Sequence, residues 1–294
     1  MIGLITCFFN PTNSNKIRSN YIEFRKRLNH PIVTLELAFN GQPFFIDDSI
    51  KVRGSNKNIL WQKERLLNIA LKSLPSHIDK VAWLDADIIF ENPNWIQDAE
   101  KALDEKPVIQ LFEEVDDSGD NKLSTHTGFG FARNLVVTGI KSNSAIGLWR
   151  TSGLRGLAWA ATRDVLAEGF FDLGIVGSGD SYHLIAWLNA WDDPHVHRLP
   201  PHLRKQFLIW ALKVSQKVRG NVGYIKGKVL HLHHGSLKAR NYLNRQKILI
   251  NHNFCPDTDI IKDNNDLWAF SGNKPDLEKD IKTYFEQRAL DEQS

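Results

Sequence analysis

Apolar runs and helical spacings alternate along the first part of the chain. Ile2–Phe9 is a short apolar run that ends at Asn10, as expected of a strand followed by a polar loop. Between residues 59 and 74, leucines recur at helical spacing and stop before a proline. The run Val81–Phe90 is apolar and β-branched except for two aspartates, and it predicts one continuous strand. This alternation is typical of an α/β sheet.

The rest of the chain predicts further elements and one long irregular region. The elements are a helix opened by Pro93, strands at 108–112 and 157–161, helices at about 162–168 and 181–191, a basic helix at 203–218, a strand at 229–233 and a helix after Pro275. Residues 113–120 predict an acidic, glycine-containing loop, and residues 123–146 show no clear period. We expect the stretch around 113–130 to order as a loop over a bound ligand. The predicted fold is therefore α/β, with a mostly parallel mixed sheet flanked by helices. One domain is predicted over residues 1–255, with a helical extension, 256–294, packed on it.

Composition narrows the class of protein. The 294 residues are 42% hydrophobic, which is enough for a sizeable core, and the net charge is only +3 with both signs interspersed. That balance does not indicate a nucleic-acid binder. Two cysteines give no disulfide framework, the first residues lack the basic segment of a leader, and no apolar run reaches the roughly 18 residues of a membrane span. We expect a cytoplasmic protein with no transmembrane segment.

Asp85 and Asp87 interrupt the apolar run at 81–90. In a continuous strand they would point to the same side, because side chains alternate between the two faces. Two carboxylates at the edge of an apolar core repel each other unless a cation lies between them, so a bound divalent metal is one interpretation. The other is that the strand ends there and the acids cap a turn.

Glycines crowd residues 169–179 and lead to Asp180 at a predicted helix start. Glycine lets the backbone approach a ligand closely. Asp180 is therefore either an N-cap residue or a general base carried on a loop.

Three histidines, His231, His233 and His234, precede Gly235–Ser236 and the cation Lys238. Imidazole is a metal ligand, and a Gly-Ser turn followed by cations suits phosphate. Satisfied core or surface histidines are the alternative interpretation.

The basic segment 202–220 places its apolar positions on one face of a helix. Packing on the core explains this pattern. Peripheral docking to an anionic membrane that carries a lipid-linked acceptor explains it as well.

Taken together, these segments resemble the GT-A glycosyltransferases, and within them the β-1,4-galactosyltransferase type. WQKERLLN, residues 61–68, stands where that family has Phe-Asn-Arg-Ala-Lys-Leu-Leu-Asn, and VAWLDADIIF resembles its metal-binding strand. Gly156, Gly169-Phe170 and Ser178-Gly179-Asp180 fall at the intervals of its acceptor segment, and His231 and His234 have the spacing of its Met-x-x-His pair. The family's paired tryptophans and Glu-Asp-Asp-Asp are replaced here by IVGSGDS, so its acceptor preference is not carried over.

The resemblance, which covers residues 1–245, implies a metal-dependent hexosyltransferase. It would move a sugar from a nucleoside diphosphate sugar, with UDP expected, to a hydroxyl of a saccharide or glycolipid, with inversion. Carboxylate and imidazole ligands suit Mn²⁺ or Mg²⁺ better than a closed zinc site. The implied roles are Asp180 as catalytic base; Asp87, Asp85, His231, His234 and His233 at the metal; Thr6, Phe9, Asn10, Lys63, Asp85, Gly235, Ser236 and Lys238 at the donor; and Trp159, Gly177, Ser178 and Gly179 at the acceptor.

Two other classes remain open. A metal-dependent phosphohydrolase would use the same acids and histidines to activate water, and it would hydrolyse the donor without an acceptor. A non-catalytic nucleotide-sugar binding module would bind without turnover.

Overall fold

The structure, a computed structural model, describes residues 1–118, 124–139, 152–233 and 245–292. Its strands are β1 (Ile2–Phe9), β2 (Val33–Phe39), β3 (Ser49–Gly54), β4 (Lys80–Leu84), β5 (Ile88–Phe90), β6 (Val108–Gln110), β7 (Glu114–Ser118), β8 (Ser124–Phe129), β9 (Ala158–Thr162), β10 (Val222–Tyr224), β11 (Lys228–Leu232), β12 (Ile260–Lys262) and β13 (Trp268–Phe270). Its α-helices are α1 (Asn15–Leu28), α2 (Lys63–Ser73), α3 (Trp95–Ala102), α4 (Phe131–Thr138), α5 (Gly179–Trp187), α6 (Pro194–Arg198), α7 (Pro201–Val218), α8 (Arg245–Asn251), α9 (Pro256–Asp259) and α10 (Pro275–Glu292).

Seven strands form the central sheet, in the order β10-β6-β9-β4-β1-β2-β3. Only β9 runs antiparallel to its neighbours in this sheet. A second sheet has the order β5-β11-β7-β8, and β12 and β13 form a small hairpin. The predicted α/β class with a mostly parallel mixed sheet is confirmed.

The core lies on both faces of the central sheet, because successive side chains of a strand point to opposite faces. In β1, Ile5 packs into the cluster that includes Leu66 of α2, whereas Leu4 packs into the cluster that includes Phe24 of α1 and Trp95 of α3. Helices therefore flank the sheet on both sides. This layering covers both faces of the sheet and leaves the ends of the parallel strands accessible to a ligand.

Regular structure occupies part of the region that the sequence predicts as irregular. β7, β8 and α4 lie within residues 113–146, so the prediction of loops there is wrong for those elements. β7 pairs with the neighbouring β8 and with the distant β11, and the long-range pairing with β11 leaves no local pattern in the sequence. The helix predicted at 162–168 is a short 3₁₀ turn at Val165–Glu168.

The basic helix α7 packs on the core with its apolar face, as one of the two interpretations proposes. Leu203, Phe207, Val214 and Val218 are buried there. That face is therefore not available for docking to a membrane. Among the described helices, none has the length and apolar character needed to span a bilayer.

The segment after residue 255 contains the β12–β13 hairpin as well as helices. Two side chains hold this hairpin against α2. Gln62, just before α2, donates from Nε2 to the carbonyl of Trp268 at 2.7 Å, and Arg65 of α2 forms an ion pair with Asp266. The division of the chain at residue 255 stays a prediction.

Candidate functional site

The carboxyl ends of β1 and β4 meet at one edge of the central sheet. β1 pairs with β2 on one side and with β4 on the other, so the chain leaves this strand pair in opposite directions. In open α/β sheets, such a switch point leaves a crevice in which ligands bind. A cavity lies there, and its lining includes Phe9 at the end of β1 and Asp85 just after β4.

The cavity brings together residues that are far apart in the sequence. Four of the predicted site residues, Phe9, Lys63, Asp85 and Asp87, line it. Trp61, from the chain just before α2, lines it as well. Phe9 and Trp61 meet edge to face, with ring centroids 5.6 Å apart. The cavity thus combines an aromatic wall with a charged end, as small-molecule sites commonly do.

Asp85 and Asp87 lie in a turn and not in a continuous strand. β4 ends at Leu84, and β5 begins at Ile88 in the second sheet. The prediction of one strand is wrong because β5 pairs with β11, which draws the chain away from the central sheet. The two carboxylates consequently meet different partners.

Asp85 is paired with Lys63. The Lys63 Nζ lies 2.5 Å from Asp85 Oδ1 and 3.9 Å from Asp180 Oδ1. Burial lowers the pKa of Lys63, but the carboxylates of Asp180, Asp85 and Glu64 together raise that pKa well above its ordinary value. Lys63 is therefore an ammonium ion that links the aspartate turn to the predicted base.

Glu64 is an acid at this site that the sequence analysis does not single out. Its residue is only 6% exposed, and burial raises the pKa of its carboxyl to about 7, with Lys63 opposing the shift and Asp180 adding to it. A Cβ built at Gly179 would overlap this carboxylate. The cluster of glycines in the sequence indicates that another group lies close to this backbone, but it does not identify that group as Glu64.

Asp180 lies in the first turn of α5, and its Oδ1 is 3.9 Å from the Nζ of Lys63, which lines the cavity. Ser178 is the N-cap residue of this helix, so the interpretation of Asp180 as the N-cap is wrong. Burial raises the pKa of the Asp180 carboxyl, while Lys63 lowers it. Its side chain keeps 35% of its surface exposed, and a Cβ at Gly156 would lie only 2.7 Å from its Oδ2. The carboxylate is thus accessible and, because burial favours its protonated form, more basic than an exposed aspartate.

The turn before Asp180 has an unusual backbone. Gly177 has φ 93° and Ser178 has φ 79°, both in the left-handed region. The hydroxyl of Ser178 accepts hydrogen bonds from Arg245 Nη2 at 3.2 Å and from Gln246 Nε2 at 3.0 Å. Two side chains of α8 therefore hold the predicted acceptor turn, Gly177–Gly179, in place beside Asp180.

His231 lies next to Asp87, and the two side chains fit a metal. The His231 Nε2 is 3.7 Å from Asp87 Oδ2, and its Nδ1 is 2.6 Å from Asp117 Oδ1. The register of β11, in which His231 is opposite Ile88 of β5 and Asp117 of β7, sets this arrangement. Metal-binding histidines usually give their second ring nitrogen to a carboxylate or carbonyl in this manner. Asp87 and His231 fit as two ligands of a divalent cation.

Of the remaining predicted metal and phosphate residues on this segment, His233 lies within the described part of the chain. His233 follows β11, and its carbonyl accepts a hydrogen bond from Asn20 Nδ2 at 3.0 Å. The predicted residues His234, Gly235, Ser236 and Lys238 lie outside the described residues. A separate surface group, with ligand atoms within 4.8 Å of one another, is formed by His202, Cys255 and Asp257.

Three predicted binding residues make structural contacts and do not line the cavity. Thr6 is fully buried, and its hydroxyl donates to a carbonyl of β4 at 2.7 Å. Trp159 is 2% exposed within the core, and its Nε1 donates to a backbone carbonyl at 2.8 Å. Asn10 bonds both the backbone nitrogen and the carbonyl of Ser14, which orders the loop before α1. These three side chains therefore support the fold around the crevice.

Comparison with known proteins adds little at this level of similarity. No protein-family model matches the chain, and no curated protein matches it. The crystal structure of glucosyl-3-phosphoglycerate synthase from M. tuberculosis matches over 88% of this chain and 83% of that chain, with 12% sequence identity and a TM-score of 0.36. That similarity does not transfer an activity, so we base the function proposed below on the crevice.

Proposed function

We propose that this chain is a metal-dependent glycosyltransferase of the GT-A type. It would move a sugar from a nucleoside diphosphate sugar, with UDP as the expected nucleotide, to a hydroxyl of a saccharide or glycolipid, with inversion. One observation carries the proposal. At the switch point of the central sheet, Lys63 contacts both Asp85, in the turn after β4, and Asp180, which follows the predicted acceptor turn. This arrangement supports a donor end and an acceptor end beside one crevice.

The donor end has groups for each part of a nucleoside diphosphate. Asp87 and His231 would hold Mn²⁺ or Mg²⁺, since carboxylate and imidazole are suitable ligands for such ions. When bound, the ion neutralises negative charge on the leaving diphosphate. Phe9 and Trp61 offer aromatic surface for the nucleoside.

The acceptor end has one group suited to proton transfer. As the acceptor oxygen forms its bond to the anomeric carbon, the bond from that carbon to the diphosphate oxygen breaks, and the hydroxyl proton passes to Asp180. A base that takes the hydroxyl proton during one direct displacement, as proposed for Asp180, gives inversion. The ammonium group of Lys63, 3.9 Å away, opposes the rise that burial gives to the pKa of Asp180 and so favours the ionised form that accepts a proton.

The first experiment is a thermal-stabilisation screen. UDP-, GDP-, ADP-, CMP- and dTDP-linked sugars are added to the protein with and without MnCl₂. A ligand that binds only the folded state stabilises it, by about 2.7 kcal/mol at one hundred times its dissociation constant. We expect at least one nucleoside diphosphate sugar to raise the melting temperature, and to raise it further with Mn²⁺.

A second experiment separates the three classes of protein. The stabilising donor is incubated with a panel of saccharide acceptors, and donor consumption is followed by NMR. Consumption that requires an acceptor supports a transferase. Equal consumption without any acceptor would identify a hydrolase, and binding with no consumption across the panel would favour a binding module.

A further inference from the structure

The C-terminal helix α10 forms part of the wall of the crevice. Phe285 and Arg288 of this helix line the same cavity as Asp85 and Asp87. The resemblance on which the sequence analysis relies ends at residue 245, so it assigns no role to this helix in ligand binding. The structure instead brings one of its cations to the donor end.

The sequence of α10 explains why Arg288 reaches this place. Leu277, Ile281, Tyr284 and Phe285 are all buried and follow the spacing of one helical face. Arg288 continues the same stripe one turn later, three residues after Phe285 and four after Tyr284. The face that docks the helix on the domain therefore ends in a guanidinium at the cavity.

Trp61 orients this guanidinium. The Arg288 Cζ lies 5.6 Å from the centroid of the Trp61 ring, and the Cζ of Arg245 lies 5.7 Å from it. Stacking on an aromatic face limits the conformations of the planar group, so fewer are lost when it binds a ligand. Arg245 also bonds Tyr284 of α10 at 3.3 Å, which ties the helix to the acceptor turn through Ser178.

The charges of the residues that line the cavity indicate why Arg288 matters for binding a diphosphate. The charged residues that line it are two acids, Asp85 and Asp87, and two cations, Lys63 and Arg288, so their formal charges cancel. A divalent cation then offsets the single negative charge on each of the donor's two phosphates. Without Arg288, one negative charge would remain uncompensated. Lys63 lies 2.5 Å from Asp85, and Arg288 lines the cavity from the side of the C-terminal helix.

We propose that Arg288 binds the diphosphate group of the donor, so that the C-terminal helix completes the donor site. This inference rests on the proposed function and extends it to a residue outside the region of resemblance. Arginine suits the role because its planar fork can donate two hydrogen bonds to phosphate oxygens.

The test compares nucleotides that differ in their phosphates. UDP, GDP and ADP are titrated calorimetrically in MnCl₂, and the tightest is compared with its nucleoside for wild type, Arg288→Ala and Arg288→Lys. We expect Arg288→Ala to weaken binding of the diphosphate by about 10–100-fold, as for loss of a charge-assisted hydrogen bond, with the nucleoside affected less than about twofold. Arg288→Lys should give an intermediate loss, because it keeps the charge without the fork.

Lys282→Ala is the matched control. It removes a cation from the same helix, one that pairs with Glu278 and does not line the cavity. Its affinity for the diphosphate should equal that of wild type. If Arg288→Ala does not fold, as judged by its melting curve, Arg288→Gln replaces it, since glutamine keeps a planar group beside Trp61 without the charge.

Two results would overturn the inference. One is a diphosphate affinity within about twofold of wild type in Arg288→Ala, and the other is an equal loss for nucleoside and diphosphate, which would mean that Arg288 only supports the aromatic wall. If the wild type binds none of the nucleoside diphosphates, the proposed function itself fails, and this inference with it. A failure confined to the Arg288 variants leaves the proposed function standing.

Discussion

Replacing Asp180 by asparagine tests whether this residue performs the chemistry. The side chain keeps its size but can no longer take the proton of the acceptor hydroxyl. The structure removes one complication, because Ser178 and not Asp180 is the N-cap residue, so the change does not remove a cap. The Asp180→Asn variant would lose the ion pair with Lys63 at 3.9 Å and also the repulsion from Asp85.

These changes predict a large kinetic effect and a small effect on stability. A positioned base contributes about two to four orders of magnitude to a rate, so the transfer rate should fall by that amount. An acid in the first turn of a helix contributes about 0.3–1 kcal/mol through the helix dipole. We expect a cost of this order in unfolding free energy, because Lys63 keeps its closer ion pair with Asp85. Since burial raises the pKa of Asp180, removing its charge also relieves a desolvation penalty that offsets part of this cost.

The assay measures three quantities on one variant. These are the melting temperature, the affinity for the donor by calorimetry, and the transfer rate to an acceptor that supports turnover in the wild type. Asp276→Asn is the matched control, because Asp276 is an exposed acid in the first turn of α10. A folded Asp180→Asn protein that binds donor and transfers sugar at nearly the wild-type rate would refute the assignment of the base.

Three further predictions follow from the neighbours of the site. Asp117→Asn should weaken Mn²⁺ binding by about 10–100-fold, because the substitution loosens the hydrogen bond that orients His231. Electron paramagnetic resonance measures this binding. An unchanged affinity for Mn²⁺ would remove this histidine from the metal site. Gly179→Ala should lower the free energy of unfolding by about 1–3 kcal/mol, since the added Cβ overlaps the Glu64 carboxylate. Gly41→Ala is the control and should be neutral, because its Cβ would have no atom within 4 Å. Equal urea midpoints for the two variants would contradict the close contact between Gly179 and Glu64. Because the pKa of Glu64 is raised to about 7 in the folded state, the folded protein binds the extra proton below that pH, and stability falls as the pH rises toward it. Glu64→Gln should therefore gain stability relative to wild type between about pH 5 and pH 8 in urea titrations, and a constant difference would show that Glu64 does not titrate there.

Local patterns are enough to predict the first strand, α2, α7 and α10. Each of them has an apolar face whose spacing is visible within about one window of sequence. β7 and β5 could not be predicted in the same way, because each pairs with β11, more than a hundred positions further along the chain. The break between β4 and β5 at Asp85 follows from that pairing and not from the residues at the break.

The candidate site shows the same division. Lys63, Asp85, Asp87 and Asp180 are chemically conspicuous in sequence, and the fold brings them to one crevice. Thr6 and Trp159 are also of residue types that are common in binding sites, but both are buried in the core. Residue type predicts which chemistry is available, whereas tertiary contacts decide where it is used.

Glu64, Asp117 and Arg288 illustrate what the sequence alone does not supply. Each is a charged residue on a helix or strand to which the sequence patterns assign no role. Their importance comes from a neighbour that is remote in the chain: Gly179 for Glu64, His231 for Asp117 and Trp61 for Arg288.

The most direct test of the proposed donor site is a calorimetric titration of the tightest-binding nucleoside diphosphate into wild type and Asp87→Asn, each with MnCl₂ and with EDTA. Asp276→Asn serves again as the control for loss of an acidic side chain. The proposed site predicts that the wild type binds the nucleotide more than about tenfold more tightly with Mn²⁺, and that Asp87→Asn loses this gain because a charged ligand beside His231 is gone. Equal affinities in MnCl₂ and EDTA, or an Asp87→Asn protein that keeps the full response to Mn²⁺, would contradict it.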